Sequence, residues 1–163
     1  MLGKLFRQIH FSKCLEDILL ALTFFTRIPI HFIVKHDRTL MQACWCFPLI
    51  GASIGLVGGT FFYLLLIIQV PVAISAVITI CFIVILTGAL HEDGLADTAD
   101  GLGGGEDKKS KIEKMRDSRI GSYGVLAILL LTLIKLNALI SLATGNPYEI
   151  TIPVSYTHLT LPT

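Results

Sequence analysis

The sequence predicts an all-α fold, a polytopic integral membrane helical bundle, and three observations lead to this fold class. Hydrophobic residues make up 53% of the chain, and charged residues only 15%. A soluble domain has about 25% charged residues. The mean hydropathy is +0.75, and the apolar residues come in long blocks rather than in period. We therefore expect about three membrane-spanning helices plus an interfacial or re-entrant helix near the N-terminus.

The N-terminal region contains two segments that we do not expect to cross the membrane. Residues 1–14 mix basic and apolar side chains, as in a short amphipathic segment on an anionic membrane surface. Residues 15–34 are apolar but include Arg27, Pro29 and His31, and their uninterrupted part is short for about 30 Å of hydrocarbon. Arg27 is expected either to reach the headgroups or to turn inward to a substrate phosphate.

Three apolar segments predict the spanning helices. Residues 44–68 and 72–90 carry no charge and form a hairpin around a tight connection at 69–71. Residues 120–143 form the third span, which contains Lys135. A lysine at that depth must reach the surface or pair inside the bundle, and its partner cannot be named from the sequence.

The distribution of basic residues predicts the orientation of the hairpin. Lys35 and Arg38 precede its first helix, and six lysine and arginine residues within 108–119 follow its second helix. The turn at 69–71 has none. By the positive-inside rule, both free ends of the hairpin lie in the cytoplasm.

An acidic segment follows the hairpin directly and reads HEDGLADTADGLGGG over residues 91–105. Asp93, Asp97 and Asp100 stand at i, i+4 and i+7, so in a helix they share one face. Such carboxylates repel each other unless a cation neutralises them, and oxygen ligands suit Mg²⁺ or Mn²⁺ together with substrate phosphates. A helix N-terminus would favour one or two acids but not three in register. The segment therefore predicts a metal and phosphate site.

Other residues near the acidic segment are candidates for contact with phosphate. Gly94 and Gly101 would let the backbone approach a substrate without a Cβ in the way. Arg116 and Arg119, with Asp117 between them, adjoin the third span and are placed to clamp a pyrophosphate, because arginine offers bidentate donors to phosphate oxygens.

Three motifs carry a resemblance to a known family. They are the acidic segment at 91–105, MRDSRIG at 115–121 and FTRIP at 25–29. Together they resemble the motifs of the adenosylcobinamide-GDP ribazoletransferase family, also called cobalamin 5′-phosphate synthase. Glu92 is a departure, since the commoner pattern has an apolar residue there; it leaves the aspartates in place and adds a ligand or a charge to the site.

The resemblance implies a membrane transferase that acts in the last steps of cobalamin biosynthesis. In the implied reaction, α-ribazole or its 5′-phosphate attacks the phosphoryl group that bears the cobinamide of adenosylcobinamide-GDP, and GMP leaves. We expect Mg²⁺, or alternatively Mn²⁺, to be held by Asp93, Asp97 and Asp100. The base is expected to be an aspartate of this cluster, or as a second choice His91. The residues expected to contact substrate are Arg27, Gly94, Gly101, Arg116, Asp117 and Arg119.

The implied location is the bacterial cytoplasmic (inner) membrane, with a multi-pass chain and an active site that faces the cytoplasm. The expected partners are adenosylcobinamide-GDP, α-ribazole and the lipid bilayer, and nucleic acid is not expected. Oligomerisation, or association with other enzymes of cobalamin assembly, stays open.

The resemblance covers about residues 16–152. We expect residues 1–152 to form the N-terminal part of a single membrane-embedded transferase domain, because the family has roughly as much membrane sequence again beyond this point. Residues 153–163 match nothing in that family and are expected to be a non-native or disordered tail.

Two other functions stay open at this point. A CDP-alcohol phosphotransferase also places aspartates on membrane helices, but its pattern requires arginine where this chain has Asp97, and its second aspartate pair is missing here. A divalent-cation transporter would use the carboxylates as an ion-selecting ring. That function would favour acids at mid-membrane depth, whereas these are predicted at a helix end beside a glycine loop.

Overall fold

The computed structural model describes residues 2–30 and 39–145, with side chains from residue 13 onward, and these residues form helices and connections without a strand. His31, the basic residues at 35–38 and the tail at 153–163 lie outside the described residues, so expectations about them stay predictions. A 3₁₀ turn at Cys44–Cys46 separates the second and third helices. The helices are α1 (Leu2–Phe25), α2 (Leu40–Ala43), α3 (Phe47–Ile67), α4 (Val72–Thr87), α5 (Leu90–Gly104), α6 (Lys108–Met115) and α7 (Ser122–Thr144).

Two helical segments are long and apolar enough to cross a membrane on their own. They are Leu40–Ile67, with 28 residues and a mean hydropathy of 2.0, and α7, with 23 residues and a mean hydropathy of 2.4. α4 has 16 residues and passes only together with α5, as a pair bent by 88°. The count is therefore two spans, or three with the bent pair. This confirms the predicted all-α membrane fold.

A buried cluster joins the predicted hairpin to α7. Phe62 of α3, Ala76 of α4 and Leu139 of α7 are all buried and form the centre of this cluster. The hairpin turns at Gln69, whose φ is +61°, and Val70 N–H donates to Leu65 O across the turn at 3.0 Å. The hairpin and the third span thus pack as one three-helix unit.

A second cluster fixes α1 against the start of α3. Phe25 is buried, and its ring meets that of Phe47 edge to face, with centroids 4.8 Å apart. Asp17 is only 2% exposed and accepts a hydrogen bond from Trp45 Nε1 at 3.0 Å. A buried carboxylate needs such a donor, because burying it without one is costly.

The chain bends sharply between α4 and α5. Gly88 and Ala89 both adopt left-handed conformations, with φ values of +67° and +61°. Gly88 ends α4, two residues before the end of the predicted apolar segment, because glycine takes this conformation without a Cβ penalty. The Arg27 side chain packs directly against Gly88, and Arg27 N–H donates to Leu86 O at 2.8 Å. The bend therefore sends the acidic segment across the end of the bundle.

Gly101, Gly103 and Gly104 are helical and Gly105 caps the helix, so the expected glycine loop is wrong. The glycines of α5 allow close approach to neighbouring elements. A Cβ on Gly101 would meet the Met115 side chain of α6, and a Cβ on Gly103 would meet the ring of Tyr123 in α7. These glycines permit helix packing around α5.

Gly124 of α7 provides a test of this packing. A Cβ there would lie 3.1 Å from Ala96 O and would also meet the Asp100 carboxylate. We expect Gly124→Ala to lower the free energy of unfolding by about 1–3 kcal/mol, because it forces α5 and α7 apart. The measurement is thermal unfolding of the detergent-solubilised protein.

The matched control is Gly94→Ala in α5, where a Cβ meets nothing within 4 Å. That variant is expected to keep its stability or gain up to about 1 kcal/mol, because alanine favours a helix over glycine. Equal melting temperatures for Gly124→Ala and the wild type would contradict the close α5–α7 contact.

Candidate functional site

A cavity of about 410 Å³ lies between α5, the end of α6 and the start of α7. It brings residues of the acidic segment together with residues of the predicted phosphate-clamping motif, which lie some twenty positions later in the sequence. The charged residues that line it are Glu92, Asp93, Asp97, Arg116 and Asp117. Four of the predicted site residues therefore share one cavity, and Glu92 joins them.

The acidic residues of α5 divide between two adjacent faces of that helix. Glu92, Ala96 and Asp100 follow each other at a spacing of four and all meet α7. Asp93 and Asp97 lie one position further along each repeat and line the cavity. Because residues four apart lie on one side of a helix, Glu92, Ala96 and Asp100 form the face that packs on α7. Glu92 and Ala96 stand at the border of that face and also line the cavity, whereas Asp100 does not.

The carboxylate of Asp100 accepts hydrogen bonds from the backbone of α7. Its Oδ2 accepts a hydrogen bond from Gly121 N–H at 2.7 Å, and its Oδ1 accepts one from Gly124 N–H at 2.9 Å. Gly121 is the residue that precedes the first turn of α7. A helix N-terminus has N–H groups without partners and a partial positive charge, and a carboxylate satisfies both. Asp100 therefore holds α7 against α5.

The position of Asp100 separates it from the other two aspartates of the predicted metal site. Asp100 does not line the cavity, and among residues 2–30 and 39–145 no group of three His, Cys, Asp or Glu side chains is arranged to hold a metal ion. Asp93 and Asp97 present oxygen donors to the cavity. Such a pair fits Mg²⁺, which commonly takes one or two carboxylates and completes its shell with water and phosphate oxygens. The ligand set stays a prediction.

The environment of Asp97 disfavours its ionised form. Burial raises the pKa of Asp97, and the nearby negative charges of Asp93 and Asp100 raise it further. Ionised carboxylates at this position therefore repel each other in the folded chain. A cation in the cavity would relieve that repulsion, which is the property expected of a cation site.

Glu92 pairs with the lysine whose partner the sequence did not identify. Lys135 Nζ donates to Glu92 Oε1 at 3.0 Å, and the two side chains are 21% and 14% exposed. The sequence contained two separate signals for this contact: a lysine inside an apolar helix, and a glutamate where the resembling family has an apolar residue. Linking them required the fold, because 43 positions separate the two residues.

The two arginines of the predicted clamp have different surroundings. Arg116 lines the cavity. Arg119 is 87% exposed and donates through Nε and Nη2 to the carboxylate of Asp117, at 3.2 and 2.9 Å. These hydrogen bonds lower the pKa of Asp117 and raise that of Arg119. Arg116 is thus the arginine of this motif that faces the cavity, and Arg119 braces Asp117.

The remaining predicted site residues lie outside the cavity lining. His91 stacks on the ring of Phe25, with centroids 5.8 Å apart and planes 14° apart. Arg27 is exposed beside the bend. Gly94 is exposed with open space around it, whereas Gly101 is buried against α6. The placement of Gly101 favours a packing role over the predicted contact with substrate.

Comparison with known proteins gives a family and close relatives. The protein-family model described as cobalamin-5-phosphate synthase matches residues 17–160. The matched range includes most of the segment 153–163, and the predicted domain boundary at 152 stays a prediction. No solved structure gives a significant match.

The curated relatives are described as adenosylcobinamide-GDP ribazoletransferases. The protein of Shewanella amazonensis is 48% identical over 136 residues, and that of Mesorhizobium japonicum is 42% identical over 127 residues. These alignments cover 82% and 78% of this chain, but 51% and 49% of the two relatives. The chain spans about half the length of the curated relatives it matches.

The shifted pKa of Asp97 predicts a pH-dependent stability. A raised pKa means that the folded chain binds this proton more tightly than the unfolded chain, so ionisation costs stability as pH rises through the ordinary value of 3.8 and the raised value. We expect Asp97→Asn to melt at a higher temperature than the wild type at pH 7, with the difference vanishing below pH 3.8. Thermal unfolding between pH 3 and pH 8 measures this.

Asp117→Asn is the matched control with the opposite sign. The folded pKa of Asp117 is lowered, so its charge contributes stability above 3.8 that is lost as pH falls. This variant is expected to melt below the wild type at pH 7. An Asp97→Asn protein that is less stable than the wild type at pH 7 would show that the carboxylates do not repel.

Proposed function

Because the chain belongs to the cobalamin-5-phosphate synthase family, we propose that its cavity is the metal and phosphate site of an adenosylcobinamide-GDP ribazoletransferase. The single observation that carries this proposal is the convergence of the two longest motifs on one cavity. The cavity offers Asp93 and Asp97, two carboxylates not involved in the observed hydrogen bonds to α7, and it adds Arg116 from the second motif.

The proposed reaction is a phosphoryl transfer. A hydroxyl of α-ribazole, or of its 5′-phosphate, attacks the phosphorus that carries the cobinamide. A phosphorus–oxygen bond forms there, the anhydride bond to the GMP portion breaks, and GMP takes the bonding electron pair. The hydroxyl proton passes to a base. Such transfers depend on positioning and charge neutralisation more than on covalent work by the protein.

The charged residues of the cavity divide this work between them. Mg²⁺, when bound by Asp93 and Asp97, would supply neutralisation of the diphosphate charge. Arg116 is placed to bind phosphate oxygens with two parallel donors. Asp117, fixed by Arg119, holds the segment that carries Arg116 at the rim of the cavity.

The base is proposed among the cavity carboxylates. Asp93 and Asp97 lie where a hydroxyl bound in the cavity would be within reach, and His91 does not line the cavity. The stacking of His91 on Phe25 gives it a packing role at the start of α5. Proton transfer requires hydrogen-bond contact, so geometry favours the aspartates.

The proposed setting is the bacterial cytoplasmic membrane, with the cavity on the cytoplasmic side. The lysines of α6 support this orientation, because α6 adjoins the cavity and basic residues are enriched in cytoplasmic segments. The lipid bilayer and the two substrates are the proposed partners. The CDP-alcohol phosphotransferase and cation-transporter alternatives receive no support from the family comparison.

The test is GMP release by membranes that contain the protein expressed from the full coding sequence to which this chain belongs. Adenosylcobinamide-GDP is supplied with either α-ribazole or its 5′-phosphate, and the corrinoid product is identified by mass. We expect release that requires Mg²⁺ and stops with EDTA. Asp97→Asn is expected to lower kcat by about 100-fold or more, because it removes charge stabilisation of the transferring group.

The control for this substitution is Glu106→Gln, which removes an exposed charge just after α5. Its rate is expected to stay close to that of the wild type. Folded wild-type protein that releases no GMP with either acceptor would reject the reaction. Release that persists in EDTA would reject the metal requirement alone.

A further inference from the structure

The Glu92–Lys135 contact lies where a charge is costly. Lys135 is well inside α7, between apolar neighbours on a helix long enough to cross the membrane. Its side chain is 21% exposed, and that of Glu92 is 14% exposed. Two largely buried charges compensate each other only when their geometry is good, and the 3.0 Å contact meets that requirement.

Lys135 is the ion-pair partner of Glu92. Glu92 Oε1 accepts the hydrogen bond from Lys135, whereas its buried Oε2 has no hydrogen-bond partner among the residues that the structure describes. Glu92 also lines the cavity directly beside Asp93. Loss of the lysine would therefore leave this carboxylate without its ion-pair partner next to the cavity acids.

Polar contacts attach α5 to α7 near both ends of α5. Asp100 attaches the later part of α5 to the N-terminus of α7, and Glu92 attaches its first turn to Lys135. The two attachments are eight residues apart on α5, which is about 12 Å along a helix. Asp93 and Asp97 lie between them, so both attachments constrain the rotation of the segment that carries the cavity carboxylates.

We propose that Glu92 and Lys135 form a positioning pair that directs Asp93 and Asp97 into the cavity. Glu92 fixes the first turn of α5 on α7, and the two aspartates then face the cavity, where they would hold a divalent cation. The proposal rests on the proposed function in assigning a cation to these aspartates. The pair acts through Asp93 and Asp97. It adds no net charge to the cavity, because the charges of Glu92 and Lys135 cancel each other.

The test compares single and double substitutions in the full-length protein. Glu92→Gln leaves a buried lysine without its charged partner, and Lys135→Met leaves a buried carboxylate. Glu92→Leu combined with Lys135→Met removes both charges, a replacement that buried ion pairs often tolerate well. If Lys135→Met does not fold, Glu92→Gln, which keeps the size of the side chain, carries the test.

The principal readout is the affinity for Mn²⁺, measured by titrating detergent-solubilised protein and following free Mn²⁺ by electron paramagnetic resonance. Titrations are run well below the melting temperature of each variant. We expect each single substitution to weaken Mn²⁺ binding by about 10- to 100-fold, as loss of residues that orient metal ligands commonly does. The double variant is expected to recover an affinity close to that of the wild type.

The exposed pair Lys109–Glu113 supplies the matched control. Its atoms are 4.0 Å apart, and its side chains are 86% and 68% exposed. Lys109→Met and Glu113→Gln make the same chemical changes in an exposed pair on α6 and are expected to leave Mn²⁺ affinity unchanged, since such pairs contribute little.

Four outcomes would overturn the proposal. The first is folded wild-type protein that binds no Mn²⁺. The second is single variants that bind Mn²⁺ as the wild type does but melt earlier, which is the behaviour of a purely structural pair. The third is a double variant that stays as weak as the single variants, which would mean that the charges act directly on the ion. Loss of affinity in the exposed-pair controls equal to that in the single variants would also contradict it. If the Mn²⁺ pattern holds but the wild type releases no GMP, the positioning pair stands and the proposed reaction fails.

Discussion

The packing of α5 on α7 is the interaction on which the candidate site depends. Asp100 satisfies two N–H groups at the start of α7, and Glu92 compensates a lysine inside the same helix. A capping contact such as that of Asp100 is worth about 0.5–2 kcal/mol. The two attachments act together. They hold α5 in one rotation, and this rotation determines which of its acids face the cavity. Asp93 and Asp97 remain as the carboxylates that line the cavity without a contact to α7.

The bend at Gly88 and Ala89 makes this arrangement compatible with a membrane. Without it, α4 would continue in a straight line into a segment that carries five charged or imidazole side chains. The 88° bend turns that segment across the end of the bundle instead. Arg27 packs against Gly88. A side chain at that position would be strained by the left-handed backbone and would collide with the arginine.

The site also has a cost that follows from its chemistry. Burial and the negative charges of Asp93 and Asp100 oppose the ionisation of Asp97 and raise its pKa. A chain selected for stability alone would not gather these acids, and functional sites often carry such strain. Asp97 lines the cavity, whereas Asp100 and Glu92 make favourable contacts with α7. The acids that stabilise α5, Glu92 and Asp100, are thus different from the acids that are available for binding, Asp93 and Asp97.

Much of the fold was predictable from the sequence, because long apolar blocks leave few alternatives to spanning helices. The spacing of the aspartates suits the helix that the acidic segment forms. The role of each aspartate was not predictable. At 100° per residue, Asp100 lies only about 20° from Asp93 around the helix axis, so the periodicity could not show that it turns to α7.

The contacts made by the glycines and by Lys135 were also beyond the sequence. In the sequence, a glycine at position 101 is equally compatible with close approach of a substrate and with close packing of a helix. Only the position of Met115 shows that Gly101 packs on α6. The partner of Lys135 lies 43 positions earlier in the chain, with no periodic relation to it. Long-range contacts of this kind depend on the bend and on helix packing, which local patterns do not specify.

Asp93 and Asp97 are the proposed cation ligands, whereas Asp100 holds α7. The most direct test titrates Mn²⁺ into Asp93→Asn, Asp97→Asn and Asp100→Asn proteins and melts each of them without the metal. We expect the first two variants to lose Mn²⁺ binding without loss of stability. Asp100→Asn is expected to keep its affinity for Mn²⁺ and to lose about 1–2 kcal/mol of stability. An Asp100→Asn protein with normal stability and no Mn²⁺ binding would show instead that Asp100 is a metal ligand and does not hold α7.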